Sequence, residues 1–242
     1  MNRRRALAVL GTVGLTGVAG CLGEEMEYAA DPAVIPDATA QGYEEDGPEE
    51  IEFDETIEAA GIEQDVHIRT WTASYADPDD ETVVFLASTP DVSVAGVSVN
   101  PLARLSGADL IARVIDQGLG SADAEGGIQD IESEGEHELT VLDEERTLQE
   151  FSAVFEAEDA EQAGENGEIP ITLYVLSFSH EEDVILSVGF HPDMEQLADE
   201  MDDDSLEGVD SDLVDGAEDE TDETGEEIRS LMEAIEHPAE TE

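Results

Sequence analysis

The stretch EIPITLYVLSFS at 168–179 leads through His180-Glu181-Glu182-Asp183 into DVILSVGFH at 183–191. The polar tetrapeptide between two apolar runs reads as a hairpin turn. DVILSVGFH is apolar at odd and even positions alike, and so is ETVVFLAST at 81–89. A strand of that kind must be covered on both faces, because successive side chains point to opposite sides. The middle of the chain therefore calls for a sheet with layers on either side.

Working outward, IEFDETIEA at 51–59 and IEQDVHIRTWTASYA at 62–76 alternate and are separated at Gly61, as in a hairpin. On the second strand Ile62, Val66 and Ile68 share one parity, and His67, Arg69, Trp71 and Tyr75 the other. Pro90 closes the 81–89 strand, and DVSVAGVSV at 91–99 reads as a further strand with a bulge at Gly96. Strands are also expected at about 137–142 and 147–157, after a Gly, Ala and acid loop at 121–135. Ser106-Gly107-Ala108-Asp109 is a capping box, and Leu110, Ile111, Val114, Ile115 and Leu119 recur at helical spacing, predicting a helix over about 106–119. A second box, Thr224 to Glu227, opens a C-terminal helix with Ile228, Leu231, Met232 and Ile235 as its buried stripe and Pro238 as its stop. These elements predict an α+β layered sandwich, a largely antiparallel sheet covered by an internal and a C-terminal helix.

The segments outside that body are acidic. Residues 21–50 carry Pro32, Pro36 and Pro48 and read as a linker, within which Pro36 to Tyr43 suits a turn or two of helix ended by Gly42, with Tyr43 as a core contact. Residues 195–227 hold 17 acidic residues and no basic one, without a clear helical period. Residues 195–223 are thus expected to be an acidic insertion, disordered or loosely helical, within a single domain at 51–238, with 239–242 as a tail.

Residues 1–20 have a different character. Arg3, Arg4 and Arg5 precede ALAVLGTVGLTGVAG, and Cys21 follows Val18-Ala19-Gly20. A basic start, a short apolar run and a small-residue cleavage site define an export signal rather than a piece of fold. The Arg3–Arg4 pair resembles a twin-arginine signal, with Ala6 where an aromatic is usual, and Val-Ala-Gly-Cys resembles a lipobox. Cys21 is the only cysteine, so no internal disulfide can form, and lipid attachment is its expected role. Ala6 to Leu22 is short and diluted by glycine for a bilayer span.

The chain has 65 acidic residues against eight basic ones, all arginine, and a net charge of −57. Without residues 1–20, five arginines face 65 carboxylates, giving −60. Such a body repels itself in dilute buffer. Molar salt shortens the Debye length to about 3 Å and relieves it. The composition resembles that of haloarchaeal proteins, and it excludes nucleic acid as a partner, since no basic patch exists to neutralise phosphates.

Motifs for chemistry are sparse. The five histidines show no metal-ligand spacing, and no metal or other cofactor is expected. Asp202-Asp203-Asp204-Ser205-Leu206-Glu207-Gly208 partly resembles a calcium loop, but the twelfth position counted from Asp203 is Val214. No nucleophile elbow, phosphate loop or dinucleotide fingerprint is present, and no catalytic residue is assigned. Arg69, Trp71 and Tyr75, on one strand parity, are the local group to inspect for ligand binding, against a purely structural role with Arg69 paired to a carboxylate.

Gly42-Tyr43, Thr70-Trp71-Thr72-Ala73-Ser74-Tyr75, Phe85-Leu86-Ala87-Ser88-Thr89-Pro90, Val99-Asn100-Pro101 and Leu231 to His237, in that order, resemble a haloarchaeal lipoprotein family of unknown function. More loosely, the element order is similar to the sandwich of PsbP-like photosystem extrinsic subunits. The resemblance implies a lipid-anchored protein on the outer face of the cell membrane, and no catalytic residues come with it. The expected role is a non-enzymatic interaction or envelope module, with a small-ligand or solute-binding lipoprotein as the alternative and an extracellular hydrolase behind both. The membrane is the expected partner through the anchor, and a protein or small-ligand partner is left open.

Overall fold

Residues Glu168–His180 and Asp183–Pro192 form a central antiparallel hairpin whose register runs from Asp183↔His180 to Pro192↔Ile171. The turn at Glu181–Glu182 puts Glu181 at φ 55°. The computed structural model describes residues 26–36, 39–59, 62–77, 82–94, 97–98, 128–156, 168–194, 196–197 and 211–239. In chain order the described strands are β1 (Met26–Ala29), β2 (Glu44–Ala59), β3 (Ile62–Asp77), β4 (Thr82–Pro90), β5 (Ser93–Val94), β6 (Val97–Ser98), β7 (Ile128–Val141), β8 (Glu144–Glu156), β9 (Glu168–His180) and β10 (Asp183–Pro192). Helix α1 spans Ser211–Glu233.

Eight strands make one mixed sheet in which β3, β4, β10, β9, β8 and β7 lie side by side. β2 pairs with β3 along nearly its whole length, from Ala59↔Ile62 to Glu44↔Ala76. The other edge of β3 is divided. β4 takes Trp71 to Asp77, and β1, the one parallel strand among those described, takes Val66 to Arg69. The expected hairpins about residues 61 and 181 are thus in place.

Alternation along β9 and β10 divides the core into two layers. On one face Leu176, Tyr174, Ile185, Leu86 and Tyr75 are buried with Ile228, Leu231 and Met232 of α1. On the other, Leu173, Val175, Leu186 and Val188 are buried with Phe151 and Ile171. That double burial is why the hairpin reads as apolar at both parities. The expected helix at 106–119 lies outside the described residues, and the described architecture is an α+β sheet with one C-terminal helix.

Four local expectations differ from the structure. Residues 26–50, read as linker on their prolines and acids, supply β1, the start of β2 and the buried residues Ala30, Ala33, Ile35 and Ala40. Gly47 and Pro48 interrupt β2 at a register shift between Asp46 and Glu49 rather than ending it. Second, α1 starts at Ser211, not Thr224. Its first turns are acidic, which suits the positive end of a helix dipole but leaves no apolar period to read. Third, β7 begins at Ile128 within the expected loop, because two register shifts near Gln129 and Ser133 break the alternation that marks a strand. Fourth, the described residues of 91–99 supply β5 and β6, which pair with each other in a separate two-stranded sheet, and the bulge expected at Gly96 lies outside the described residues. Within the first segment the turn at Pro36 is present, with Ala40 N–H donating to Pro36 O at 3.0 Å and Gly42 at φ 103°.

Gly189 shows how tightly α1 seats. A Cβ there would lie 2.5 Å from Ile228 Cγ2 and 3.1 Å from the Met232 methyl. Gly189→Ala must push the helix off β10, and overpacking of this kind costs about 1–3 kcal/mol. The expected outcome is a lower midpoint of thermal unfolding in molar KCl, measured by circular dichroism. An unchanged midpoint would mean that the helix is not fixed against the sheet at this point.

Candidate functional site

The polar ends of Arg69, Trp71 and Tyr75 are occupied within the chain. Their shared parity places them on the α1 face of β3, where residues 27–35 cross. The Arg69 guanidinium pairs with Glu27 at 3.3 Å and Glu50 at 3.6 Å. Trp71 Nε1 donates to Ala30 O at 3.1 Å, and Ile35 N–H donates to the fully buried Tyr75 Oη at 2.8 Å. The expected ligand-binding group therefore fastens the N-terminal segment to the sheet, and Arg69 has the carboxylate partners of its structural reading. Cys21, Arg3 and Arg4 lie outside the described residues.

The same segment meets the other end of the chain. Val34 and Glu236 exchange backbone hydrogen bonds at 3.1 and 2.9 Å, and Ala239 N–H donates to Pro32 O at 2.9 Å. Beneath them lies a buried polar cluster that sequence reading does not bring together. Asp183 Oδ2, at the start of β10, accepts from Asp31 N–H at 2.9 Å and stands 3.0 Å from His237 Nε2. Ser88 Oγ is 3.5 Å from the same nitrogen, and the His180 ring meets His237 edge-on at 5.6 Å. One carboxylate thus ties both chain ends to the β9–β10 turn. Although serine, histidine and aspartate meet here, Asp183 and Ser88 approach one nitrogen, whereas a hydrolytic triad uses the two nitrogens separately. His237 Nδ1 is buried without a hydrogen-bond partner.

A second cluster lies under the middle of α1. The buried Tyr174 ring stacks on His191 at 6.0 Å and tilts against His137 at 6.5 Å; Arg229 stands 5.8 Å from its centroid. His137 pairs with Glu150. Gly225 is what allows α1 to pass, since a Cβ there would come 2.5 Å from Tyr174 Oη. Burial, helped by the Glu150 charge and opposed by Arg229, pushes the Tyr174 hydroxyl up to about 12. Burial also lowers His191, against the opposing hydrogen bond to Pro192 O at 2.8 Å. Both shifts favour the neutral forms, a phenol at Tyr174 and an imidazole at His191. Among the described residues no three metal-ligating side chains converge.

The fold and its sites thus define a sheet-and-helix domain closed by a clasp between its two ends. The chain belongs to the family described as Domain of unknown function (DUF6517), whose model matches residues 32–236. The matched span runs almost from one side of the Val34–Glu236 pairing to the other. No curated protein matches the chain.

Two outcomes follow. Tyr75→Phe leaves the Ile35 N–H without that acceptor in a buried place, a change that costs about 1–3 kcal/mol. Hydrogen exchange should then accelerate at Ile35, and exchange as slow as in the parent would show the N-terminal segment to be held elsewhere. His191 has a depressed folded pKa, so below about 6.5 the unfolded chain takes up a proton that the folded chain refuses, and stability is lost as pH falls through that window. His67, raised chiefly by its hydrogen bond to Asp54, acts in the opposite sense and at higher pH, losing its contribution as pH rises. In molar KCl, His191→Gln should reduce the drop in unfolding midpoint between about pH 7 and about pH 5.5. Equal drops would contradict the assignment.

Proposed function

We propose that this chain is a lipid-anchored module on the outer face of the cytoplasmic membrane of a salt-adapted, haloarchaeal cell. In this reading residues 1–20 are the export signal, Arg3 and Arg4 are its twin-arginine element, and Cys21 carries the lipid. The body acts without chemistry of its own, by holding another envelope component near the membrane.

The observation that carries this reading is the place where β1 begins. Met26 pairs with Val66 in the sheet, five positions after Cys21. Five residues span at most about 18 Å when fully extended. The tether is therefore short, and a body fastened at β1, Trp71 and Tyr75 stays against the surface that holds the lipid. A lipid chain contributes about 0.8 kcal/mol per buried methylene, and two chains hold stably. Among the described residues no helix is long and apolar enough to cross a membrane.

Replacing Cys21 removes the thiol to which this reading assigns the lipid. Cys21→Ser, expressed in a halophilic host, should move the protein from the membrane fraction to the medium. Intact mass of the parent should begin at Cys21 and carry lipid. A Cys21→Ser variant that stays in the membrane fraction, or a parent that keeps Met1, would contradict the tether.

A further inference from the structure

Helix α1 rests on the sheet through two unlike contacts. Its last turns place Ile228, Leu231 and Met232 in the apolar layer with Leu86 and Ile185, and Gly189 of β10 makes room for Ile228 and Met232. One turn earlier the seat is polar. Gly225 passes over Tyr174 Oη, where a Cβ would stand 2.5 Å from that oxygen and 3.5 Å from Arg229 Nη1. Tyr174 in turn stacks on the buried His191, which shares its parity along β10 with Gly189 and so faces the helix.

Two polar atoms of this seat are buried without a hydrogen-bond partner among the described residues. One is His191 Nε2; the other is Thr221 Oγ1, which lies one turn before Gly225 on the same side of α1. Pro192 O can only accept, so His191 Nδ1 carries the hydrogen of their 2.8 Å bond and Nε2 is the bare nitrogen. A proton arriving at Nε2 would create a buried cation whose new N–H has no acceptor. Arg229 of α1 opposes that charge, and burial outweighs the attraction of Asp193 and of Glu150 on β8. Glu150 is engaged by His137 of β7, and Asp193 Oδ1 accepts from Gln196 N–H at 2.9 Å. Asp222 of α1 acts on Tyr174 and is itself exposed.

We infer that the seat at Gly225 is an acid-sensitive latch: when His191 takes up a proton, residues 221–227 of α1 lift off Tyr174, while the stripe Ile228, Leu231, Met232 and Ile235 keeps the end of the helix on the sheet. Lifting lets water reach His191 Nε2 and Thr221 Oγ1 and uncovers the Tyr174 ring. The lifted turns read TDETGEE and hold no apolar side chain, so their grip on the sheet is polar. Burial lowers His191 in the seated state, so the lifted state binds the proton more tightly, and its population grows as pH falls through about 6.5. Each further pH unit multiplies that population by about ten until the seated form is protonated as well. The latch needs no membrane anchor, and its failure would leave the proposed tether untouched.

Hydrogen exchange of the full chain in molar KCl, with each rate divided by the intrinsic rate at that pH, tests the latch. Between about pH 6.5 and about pH 5.5 the amides of 221–227 should exchange about tenfold faster on that scale, while those of 231–235 stay constant. His191→Gln should abolish the rise, and His137→Gln, at the partly exposed member of the layer, should keep it. Gly225→Ala drives a Cβ against Tyr174 Oη, so residues 221–227 should exchange fast at both pH values, and adding Tyr174→Phe should slow them again at the higher one. Exchange at 221–227 that ignores pH in the parent would overturn the latch. An equal rise at 231–235 would overturn it too, since the whole helix would then be leaving. A rise that survives in folded His191→Gln would assign the event to another group.

Discussion

Repulsion among 65 carboxylates, opposed by eight arginines, is the constraint under which the rest of this structure stands. The charge cannot be neutralised internally. Among the described residues Arg69 and Arg146 pair with carboxylates, and both pairings reach exposed glutamates, which are worth little in water. Cohesion has to come from apolar burial instead, and the chain concentrates that burial. The β9–β10 hairpin contributes to both core layers, so its few residues serve two faces of the sheet. Acidic residues are exposed on β2, at Glu52 and Asp54, and on α1, at Asp222, Glu223, Glu226 and Glu227.

That economy explains why the ends of the chain are fastened to each other. A sheet with such a surface gains from every segment that covers its core, and Ala33, Ile35 and Ala40 on one side and Leu231, Met232 and Ile235 on the other both do so. Asp183 fixes them at one point, holding Asp31 N–H and His237 Nε2 together, and a buried carboxylate of this kind is tolerable because its hydrogen bonds are satisfied. The clasp also bears on the proposed function, since a segment locked to β3 and to Asp183 of β10 would carry the position of an anchor at Cys21 to the whole body.

The centre of the fold was legible because burial on both faces leaves a mark that polar substitution cannot hide. The hairpins about residues 61 and 181, the strand ending at Pro90 and the stripe Ile228, Leu231, Met232, Ile235 could all be read from pattern. The periphery was not legible where a rule of thumb met a local exception. Pro48 sits at an irregularity in β2, which a proline can occupy, so it did not end the strand as expected. The upstream half of α1 is mostly acidic, and Leu213, Val214 and Ala217 are too few to read as a stripe. The Asp183, Ser88 and His237 cluster joins residues up to 149 positions apart, and no local spacing announces it. Arg69, Trp71 and Tyr75 were recognisable as a group, but their partners Glu27, Ala30 and Ile35 lie in a segment read as linker.

The most direct measurement is the thermal unfolding midpoint of the chain across a KCl series from dilute to molar. If apolar burial holds the fold against carboxylate repulsion, the midpoint rises steeply while the Debye length shrinks from about 30 Å and levels off as it nears about 3 Å. A cooperative transition at the same temperature throughout the series would contradict that balance.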